Sequence, residues 1–378
     1  MNRNSCLVLL SSIGMFLTAA FVPFFLRADF LRVMPGKQFS FPRDHGSHHD
    51  YPVEWWYFTG HLRATPQDGE ESTFGFELTF FRVAVNPTSR VSKSPWHVQS
   101  LFLAHAAITD DRNRQFYFEK RSRRPSFDIA GASDTTLHVW LDDWRVKRDG
   151  SGNFHLSFRA VDERSKNPFS LELTLNSRKP EVLQGIDGYS QKGADVTDAS
   201  YYVSLTRLEG VGKVMLGGAE QVVSASAWMD HEILSSKPND EEVGWDWFAL
   251  QLDNDWECMI YHLRRGTPQE TSPFSAGSCV NPKGESRALT LNDFTIEPLR
   301  FWSSPTSGIR YPAEWKISIR PFDIDVTVAP TVENQELASD SEGSTRTYWE
   351  GRSSVRGEMG GEPVTGSAYV ELVGYESE

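Results

Sequence analysis

The sequence predicts an all-β protein made of two antiparallel β-barrels. Short runs of alternating apolar and polar residues recur along the whole chain, which is typical of strands with one buried face. Clusters rich in Gly, Asn, Asp and Pro separate these runs, as they do in sandwiches and barrels. The two halves have similar lengths and similar numbers of runs. At 378 residues the chain exceeds the usual size of one domain, so two barrels are expected.

The first barrel is predicted over residues 38–212. Its alternating runs begin at Glu54, and a clear one covers residues 169–175, where Phe and Leu alternate with polar residues. Turn clusters at 110–113 and 148–152 separate the strands. The second barrel is predicted over residues 219–378. The boundary is placed in the glycine-bearing connection 211–220, because glycine-rich segments commonly link units.

Residues 1–28 are interpreted as a targeting segment and set aside from the fold. Arg3 supplies a positive start, residues 7–26 are almost entirely apolar, and Arg27 ends the run. Such a run is either a cleaved signal peptide or an uncleaved anchor that spans a bilayer. Both alternatives predict an exported protein, periplasmic or otherwise associated with the cell envelope. The anchored form would be held at the membrane through this segment.

Charge and aromatic content indicate what the protein binds. The net charge of −13 and the pI near 5.3 argue against a nucleic-acid partner, which requires a basic face. The chain contains 12 Trp, 24 Phe and 11 Tyr residues. These rings either fill large sheet cores or line a cavity for a large apolar ligand. The expected partner is a lipophilic small molecule.

The densest group of chemically useful side chains lies in residues 41–62. A loop-like first half is followed by a predicted strand that begins at Glu54. Because side chains alternate along a strand, Trp55 and Tyr57 share one face, while Glu54 and Trp56 share the other. One face is expected to border an apolar cavity. The candidate site residues in this stretch are Asp44, His45, Glu54, Trp55, Trp56 and Tyr57.

A second group of candidates lies at the end of a predicted strand in the other half. Asp230, His231 and Glu232 are adjacent ionisable groups. At most two of them can enter one cavity, since neighbouring strand residues point to opposite faces. An adjacent Asp and His can divide acid and base work, or they can form a solvated structural turn. The candidate aromatic residues around them are Trp228, Trp245 and Trp247.

Cys258 and Cys279 are the two cysteines of the exported part. In an oxidising compartment they can form a disulfide, and the alternative is two unpaired thiols. Spacing alone does not decide between them, because it does not give their separation in space.

No metal and no cofactor are predicted. Asp44, His45, His48 and His49 are metal-ligand types at close spacing, but no helical His pair and no Cys partner accompany them. The chain also lacks the G-x-S-x-G pattern of a nucleophilic serine.

Several motifs together resemble the carotenoid 1,2-hydratase family, which includes hydroxyneurosporene synthases, AttH-type proteins and predicted secreted hydrolases. The motifs are DHGSHHDYPVEWWYFTGHL, FGFELTFFR, LFLAHAAITD, AWMDHEI, GWDWFALQLD, YWEG and GSAYVELVGY, spread over residues 41–375. Ile233 departs from the pattern, which has Trp after MDHE. The resemblance implies two lipocalin-like barrels in tandem, a pocket near their junction and lipophilic ligands. In some relatives it implies the addition of water to an alkene.

Hydration of a trisubstituted alkene begins with its protonation to a carbocation, so a carboxylic acid must stay protonated near neutral pH. Burial against aromatic rings raises a carboxyl pKa in this way. We predict Asp230 as the acid, His231 as the base that directs water, and Glu54 as a further catalytic residue, with Trp rings facing the cation. Such a hydro-lyase needs no cofactor. The alternative function is a non-catalytic carrier of lipophilic molecules at the cell envelope.

Overall fold

The computed structural model describes residues 30–64, 69, 71–85, 98–235, 242–265, 270–338 and 347–376, and the predicted targeting segment 1–28 lies outside them. Regular structure in these residues is almost entirely strand, with 3₁₀ turns at Arg43–His45, Leu291–Asp293 and Arg320–Phe322. In this part of the chain no helix is long and apolar enough to cross a membrane.

The first sheet has thirteen antiparallel strands in the described residues. They are β1 Val53–Ala64, β2 Ser72–Ala84, β3 Ser100–Asp110, β4 Gln115–Arg123, β5 Ala130–Ala132, β6 His138–Leu141, β7 Trp144–Arg148, β8 Phe154–Val161, β9 Pro168–Ser177, β10 Val182–Leu183, β11 Tyr189–Gln191, β12 Ala199–Leu216 and β13 Ala219–Leu234. The main path runs β4-β3-β2-β1-β13-β12-β9-β8-β7-β6-β5, with β10 and β11 paired to β12. Strand β4 also contacts β6 and β8, so the two ends of the sheet curve toward each other.

The second sheet has ten antiparallel strands in the described residues. They are β14 Glu242–Leu252, β15 Glu257–Arg265, β16 Ala276–Val280, β17 Ser286–Thr290, β18 Phe294–Ser303, β19 Arg310–Ile319, β20 Ile324–Pro330, β21 Glu336–Leu337, β22 Tyr348–Met359 and β23 Glu362–Val373. Its path is β17-β16-β15-β14-β23-β22-β20-β19-β18. The two sheets form a nearly closed barrel and a half-barrel, which confirms the predicted tandem lipocalin-like fold.

The two sheets divide after Leu234, whereas the sequence predicts a boundary at residues 212–219. Strand β13 pairs with both β12 and β1 and therefore belongs to the first sheet. The glycines that suggested a linker, Gly217 and Gly218, have φ angles of 56° and 86°. Positive φ at both central residues is what a tight hairpin turn needs. The connection is thus a two-residue turn inside one sheet.

Three apolar clusters show where the cores lie. One fills the first barrel and includes Phe58 and Phe76, and another fills the second and includes Phe248 and Trp315. The third lies between the sheets and is made mainly of aromatic residues from both. Because a sheet has two faces, β1 and β13 supply side chains both to the first barrel's interior and to this middle layer.

Cys258 and Cys279 form a disulfide between neighbouring strands β15 and β16. Their Cα atoms lie 4.1 Å apart, directly opposite each other in the sheet. Of the two alternatives that the sequence left open, the structure shows the disulfide and not two unpaired thiols.

Candidate functional site

A pocket between the two sheets is the candidate site. Its cavity volume is about 140 Å³. Residues of both sheets line it: Trp55, Tyr57, Glu77, Thr79, Phe81, Lys192, Tyr202, Asp230, Glu232, Leu234, Trp245, Trp247, Tyr261, Leu263, Tyr348, Glu350 and Glu371. Aromatic and aliphatic side chains make up most of this lining, and carboxyl groups are its main polar component. That combination of an apolar wall with a few convergent polar groups is typical of small-molecule sites.

Asp230 is the carboxyl held most firmly in the pocket wall. Strand β13 places it on the middle layer, where it is 3% exposed. Its Oδ1 accepts hydrogen bonds from Ser204 Oγ at 2.5 Å and from the Trp228 indole at 2.7 Å. Its Oδ2 accepts a bond from Tyr202 Oη at 2.5 Å, and the Trp247 indole donates to that same hydroxyl at 3.0 Å. The carboxyl is therefore fixed in position by side chains from both sheets.

Burial raises the pKa of Asp230 to about 7, although hydrogen bonds from Ser204, Tyr202 and Trp228 oppose the shift. The nearby charge of Glu232 adds to it. These three donors favour the ionised form, so desolvation must dominate to keep a proton on the group. Asp230 is thus poised to exchange a proton near neutral pH.

Glu232 lies on the same face of β13, two residues further along, and has a different environment. Its Oε1 lies 3.1 Å from Lys192 Nζ and accepts a hydrogen bond from Ser200. An ion pair of this kind stabilises the charged carboxylate. The pocket therefore places a carboxyl that favours its proton beside a carboxylate held by a cation, which are the elements of acid–base catalysis.

A second acidic group is formed by Glu77, Glu350 and Glu371. Glu350 and Glu371 are direct partners across β22 and β23, and Glu77 of the first sheet lies within hydrogen-bond reach of Glu350. Burial raises the pKa of Glu77 to about 7 and that of Glu371 to about 8. Burial and the charges of Glu77 and Glu371 raise the pKa of Glu350 well above its ordinary value.

The opposite face of β1 and β13 carries a separate buried polar cluster. His231 Nε2 lies 2.9 Å from Glu54 Oε1, and Arg82 Nε donates to Glu54 Oε2 at 3.1 Å. His48 bridges two carboxylates, with Nδ1 3.0 Å from Glu54 and Nε2 2.8 Å from Asp44. Burial alone would raise the pKa of Glu54, but bonds from His231 and His48 and the charge of Arg82 hold it well below the ordinary value. This cluster lies on the face of β1 that also carries Trp56 and Phe58 of the first barrel's core.

The same cluster contains the one group of metal-ligand types found in the described residues, His48, Glu54 and His231, whose ligand atoms lie within 4.8 Å of one another. Both ring nitrogens of His48 already contact carboxylates, and Arg82 already supplies a positive charge to Glu54. These contacts join the side chains in a buried ion-pair network, in which His231 Nδ1 and one terminal nitrogen of Arg82 have no hydrogen-bond partner among the described residues.

The structure divides the predicted site residues between these two places. Those on the pocket wall are Asp230, Trp55, Tyr57, Trp245 and Trp247, and Trp228 adjoins them through its bond to Asp230. Those on the barrel side are Glu54, His231, Asp44, His45 and Trp56. The structure therefore does not bring Asp230, the predicted acid, into one site with His231 or Glu54. The reason is strand parity, which sends adjacent residues to opposite faces.

Several pocket residues were missed from the sequence. Glu77, Glu350 and Glu371 each occupy an ordinary alternating position, which resembles the solvated face of a strand. The sequence signal that could have identified these acids is an aromatic residue on the same strand face, as Phe81 is for Glu77. All three also lie inside the quoted motifs FGFELTFFR, YWEG and GSAYVELVGY.

Fold and pocket together define a tandem lipocalin-like protein whose two sheets enclose an aromatic, carboxyl-lined pocket. Residues 32–375 match the family model described as AttH-like, and the chain belongs to that family. An AttH candidate from Nitrosomonas europaea has a similar crystal structure, with 30% identity, TM-score 0.78, and coverage of 92% of this chain and 100% of that chain. Kievitone hydratase from Nectria haematococca shares the fold, with 16% identity, TM-score 0.64, and coverage of 93% of this chain and 97% of that chain. No curated protein sequence matches the chain.

Proposed function

We propose that this protein binds a lipophilic, terpenoid-like or similar lipid molecule in the pocket between the sheets and adds water to its alkene. The observation that carries the proposal is Asp230, a buried carboxyl whose pKa burial raises to about 7, in a wall of aromatic rings. A protonated acid beside an apolar substrate is what alkene protonation requires. The AttH-like family and the hydratase of the same fold support this choice.

In the proposed reaction, the Asp230 carboxylic acid gives its proton to one alkene carbon, and the other carbon becomes a carbocation. A water oxygen forms a bond to that carbon, and Glu232 takes the proton that the water releases. The products are an alcohol, an Asp230 carboxylate and a protonated Glu232. Proton transfer from Glu232 to Asp230 through water restores the starting state. Glu232 replaces His231 as the base because it shares the face of Asp230.

The aromatic lining supports the charged intermediate. The rings of Trp55, Trp245 and Trp247 border the same pocket as Asp230. A cation over an aromatic face gains roughly 0.5–2 kcal/mol, most when water is excluded. These rings would lower the barrier for protonation while leaving the neutral substrate bound mainly by apolar contact.

The test is to extract the lipid that co-purifies with the protein and to incubate it, with a panel of prenylated and acyclic terpenoid alkenes, with fresh enzyme. Mass spectrometry should find a product heavier by one water. Asp230→Asn should reduce turnover roughly 10²–10⁴-fold while ligand binding persists. The rate should fall as pH rises through about 7, because Asp230 then loses its proton. A folded Asp230→Asn variant with full turnover contradicts the assignment.

A non-catalytic carrier is the second candidate, favoured by the fact that all three donors to Asp230 come from the protein itself. A carboxyl satisfied in this way can be purely structural. If the co-purified lipid binds tightly, returns with unchanged mass and binds equally to Asp230→Asn, the protein is a carrier. A hydrated product excludes it.

We also propose that the protein works outside the cytoplasm, at the cell envelope. The Cys258–Cys279 disulfide supports this setting, because such bonds persist in oxidising compartments. The apolar segment at residues 7–26 would direct the export. Cell fractionation followed by mass measurement of the mature amino terminus tests both points and separates a cleaved signal peptide from an anchor. Recovery in the cytoplasm with free thiols would overturn the proposal.

A further inference from the structure

The charge balance of the pocket is strongly one-sided. Five carboxyl groups line it, whereas Lys192 is the one cationic lining residue, already paired with Glu232 at 3.1 Å. Lys120 lies nearby, but its ammonium donates to the carbonyls of Leu337 and Ala338 at 3.0 and 3.2 Å. The group formed by Glu77, Glu350 and Glu371 therefore has no cation of its own in the lining.

Two oxygens of this acidic group are also without a hydrogen-bond donor. Glu77 Oε2 and Glu350 Oε1 are buried and unpartnered in the described part of the chain, and both side chains are 1% exposed. Buried polar atoms are nearly always hydrogen-bonded, because a buried acceptor without a donor destabilises the fold. Glu77 and Glu350 lie within hydrogen-bond reach of each other, so a single proton can bridge them. When both are ionised, the compensating donor is expected to come from an occupant of the pocket that they border.

Aromatic rings surround the same space. Tyr348 donates to Glu77 at a long 3.4 Å, and the Trp245 indole donates to Glu371 at 3.1 Å. These contacts bring an electron-rich ring beside Glu77 and another beside Glu371. Carboxylates combined with aromatic faces form the surroundings that proteins use to bind alkylammonium groups.

We propose that the preferred occupant of this pocket is a lipophilic cation, whose ammonium group lies among Glu77, Glu350 and Glu371 while its alkyl chain contacts the aromatic wall. The inference rests on the proposed function, in that both need this pocket to be the ligand site. It deepens that function, because an ammonium carries the same charge as the carbocation of the hydration step and would inhibit it as an intermediate mimic.

The experiment compares three probes of equal chain length on the full-length protein, each below its micelle concentration. They are octylammonium, octanol and octanoate, and binding is followed by calorimetry and by quenching of tryptophan fluorescence. The ammonium is expected to bind roughly tenfold or more tightly than octanol, with octanoate the weakest, because charge is felt strongly in a dry site. Equal binding of octanol and the ammonium overturns the cation preference.

Variants locate the site. Glu371→Gln and Glu350→Gln should each weaken the ammonium roughly three- to tenfold and leave octanol unchanged. Glu220→Gln is the matched control, since it removes one negative charge from an exposed position at the far end of β13. An equal loss in the control would mean that only net charge matters, and the proposal would fail.

The outcomes also separate this inference from the proposed function. If octanol binds as well as the ammonium, only the charge preference fails and the pocket remains a lipophilic site. If no probe binds and the co-purified lipid is absent, the pocket is not a ligand site and both proposals fall together.

Discussion

At the scale of single residues, the side of the strand on which a group lies decides what it can do. Asp230 and His231 are neighbours in sequence, yet one lines the pocket and the other bonds to Glu54 inside the first barrel. Their environments then set opposite protonation states. Burial raises the pKa of Asp230 to about 7 and lowers that of His231. Asp230 lies on the strand face that carries the pocket's carboxyl groups, where we propose that the reaction takes place, whereas His231 is part of the buried ion-pair network around Glu54.

Asp230→Asn is expected to stabilise the fold while removing activity. The folded-state pKa of Asp230 is about 7, against 3.8 when unfolded. Because the folded state holds this proton more tightly than the unfolded state does, the protonated carboxyl makes its full contribution to stability below pH 3.8. That contribution is lost as the pH rises toward 7, so at pH 8 the Asp230 carboxyl destabilises the fold. We expect the variant to be more stable by ~2 kcal/mol at pH 8, with a smaller gain at pH 5. Urea denaturation at both pH values measures this, and a less stable variant at pH 8 would contradict it.

Glu54→Gln should have the opposite effect. Glu54 is fully buried, and its pKa lies well below the ordinary 4.5, so its stabilisation is present above pH 4.5 and lost as pH falls further. Removing one member of a buried ion network costs ~3–5 kcal/mol. Chemical denaturation at pH 7 should show that loss. Glu71→Gln is the control, because its pair with Arg63 is exposed and should cost under about 1 kcal/mol.

For single residues, the sequence predicted which side-chain types form the site better than it predicted in which compartment each side chain lies. Alternation correctly grouped Trp55 with Tyr57, and both line the pocket. The same rule already separated Asp230 from His231, but sequence proximity suggested a pair. Glu350 and Glu371 could not be placed, because their partnership with Glu77 depends on how two distant sheets pack. Such contacts come from tertiary packing, which a local pattern does not encode.

At the scale of elements, β1 and β13 form a wall shared by two compartments. They pair over eleven residue positions, from Val53 opposite Leu234 to Arg63 opposite Ser224. One face of this ribbon closes the first barrel, and the other faces the second sheet. Strands and their alternation were predictable from sequence, whereas the extent of the sheet was not. Gly217 and Gly218 look like a linker in sequence, and only the pairing of β13 shows that they form a turn.

The disulfide between β15 and β16 offers a prediction about an element. Cys258 and Cys279 are separated by 21 residues, and closing a loop of that length stabilises a protein by ~3 kcal/mol in the chain-entropy account. Reductant should therefore lower the denaturation midpoint of the wild type. The Cys258→Ala/Cys279→Ala variant should start at the lower midpoint and not respond. A wild type that reductant leaves unchanged would show that the bond adds no stability.

At the scale of the whole molecule, the pocket exists only because two sheets are held face to face. Besides the aromatic middle layer, a buried ion cluster joins them. Glu257 of the second sheet accepts hydrogen bonds from Lys179 Nζ at 2.6 Å and from Arg207 Nε at 2.5 Å. Lys179 lies in the connection between β9 and β10, and Arg207 lies in β12 of the first sheet. Lys179 also donates to the backbone of Asp255 at 2.6 Å and of Asn281 at 2.8 Å. The cluster therefore links the two sheets at a place outside the pocket lining.

Glu257→Gln is therefore expected to loosen the sheets and weaken the site together. The side chain is fully buried, and its loss leaves Lys179 and Arg207 without their carboxylate, which costs ~3–5 kcal/mol. Fluorescence-monitored urea denaturation should show a lower midpoint, and octanol should bind the pocket less tightly although no lining residue has changed. The control is Glu209→Gln, whose exposed pair with Arg178 should cost under about 1 kcal/mol. If Glu257→Gln unfolds earlier but binds octanol normally, the cluster stabilises the fold without setting the pocket's geometry, because binding would then depend on the aromatic layer alone.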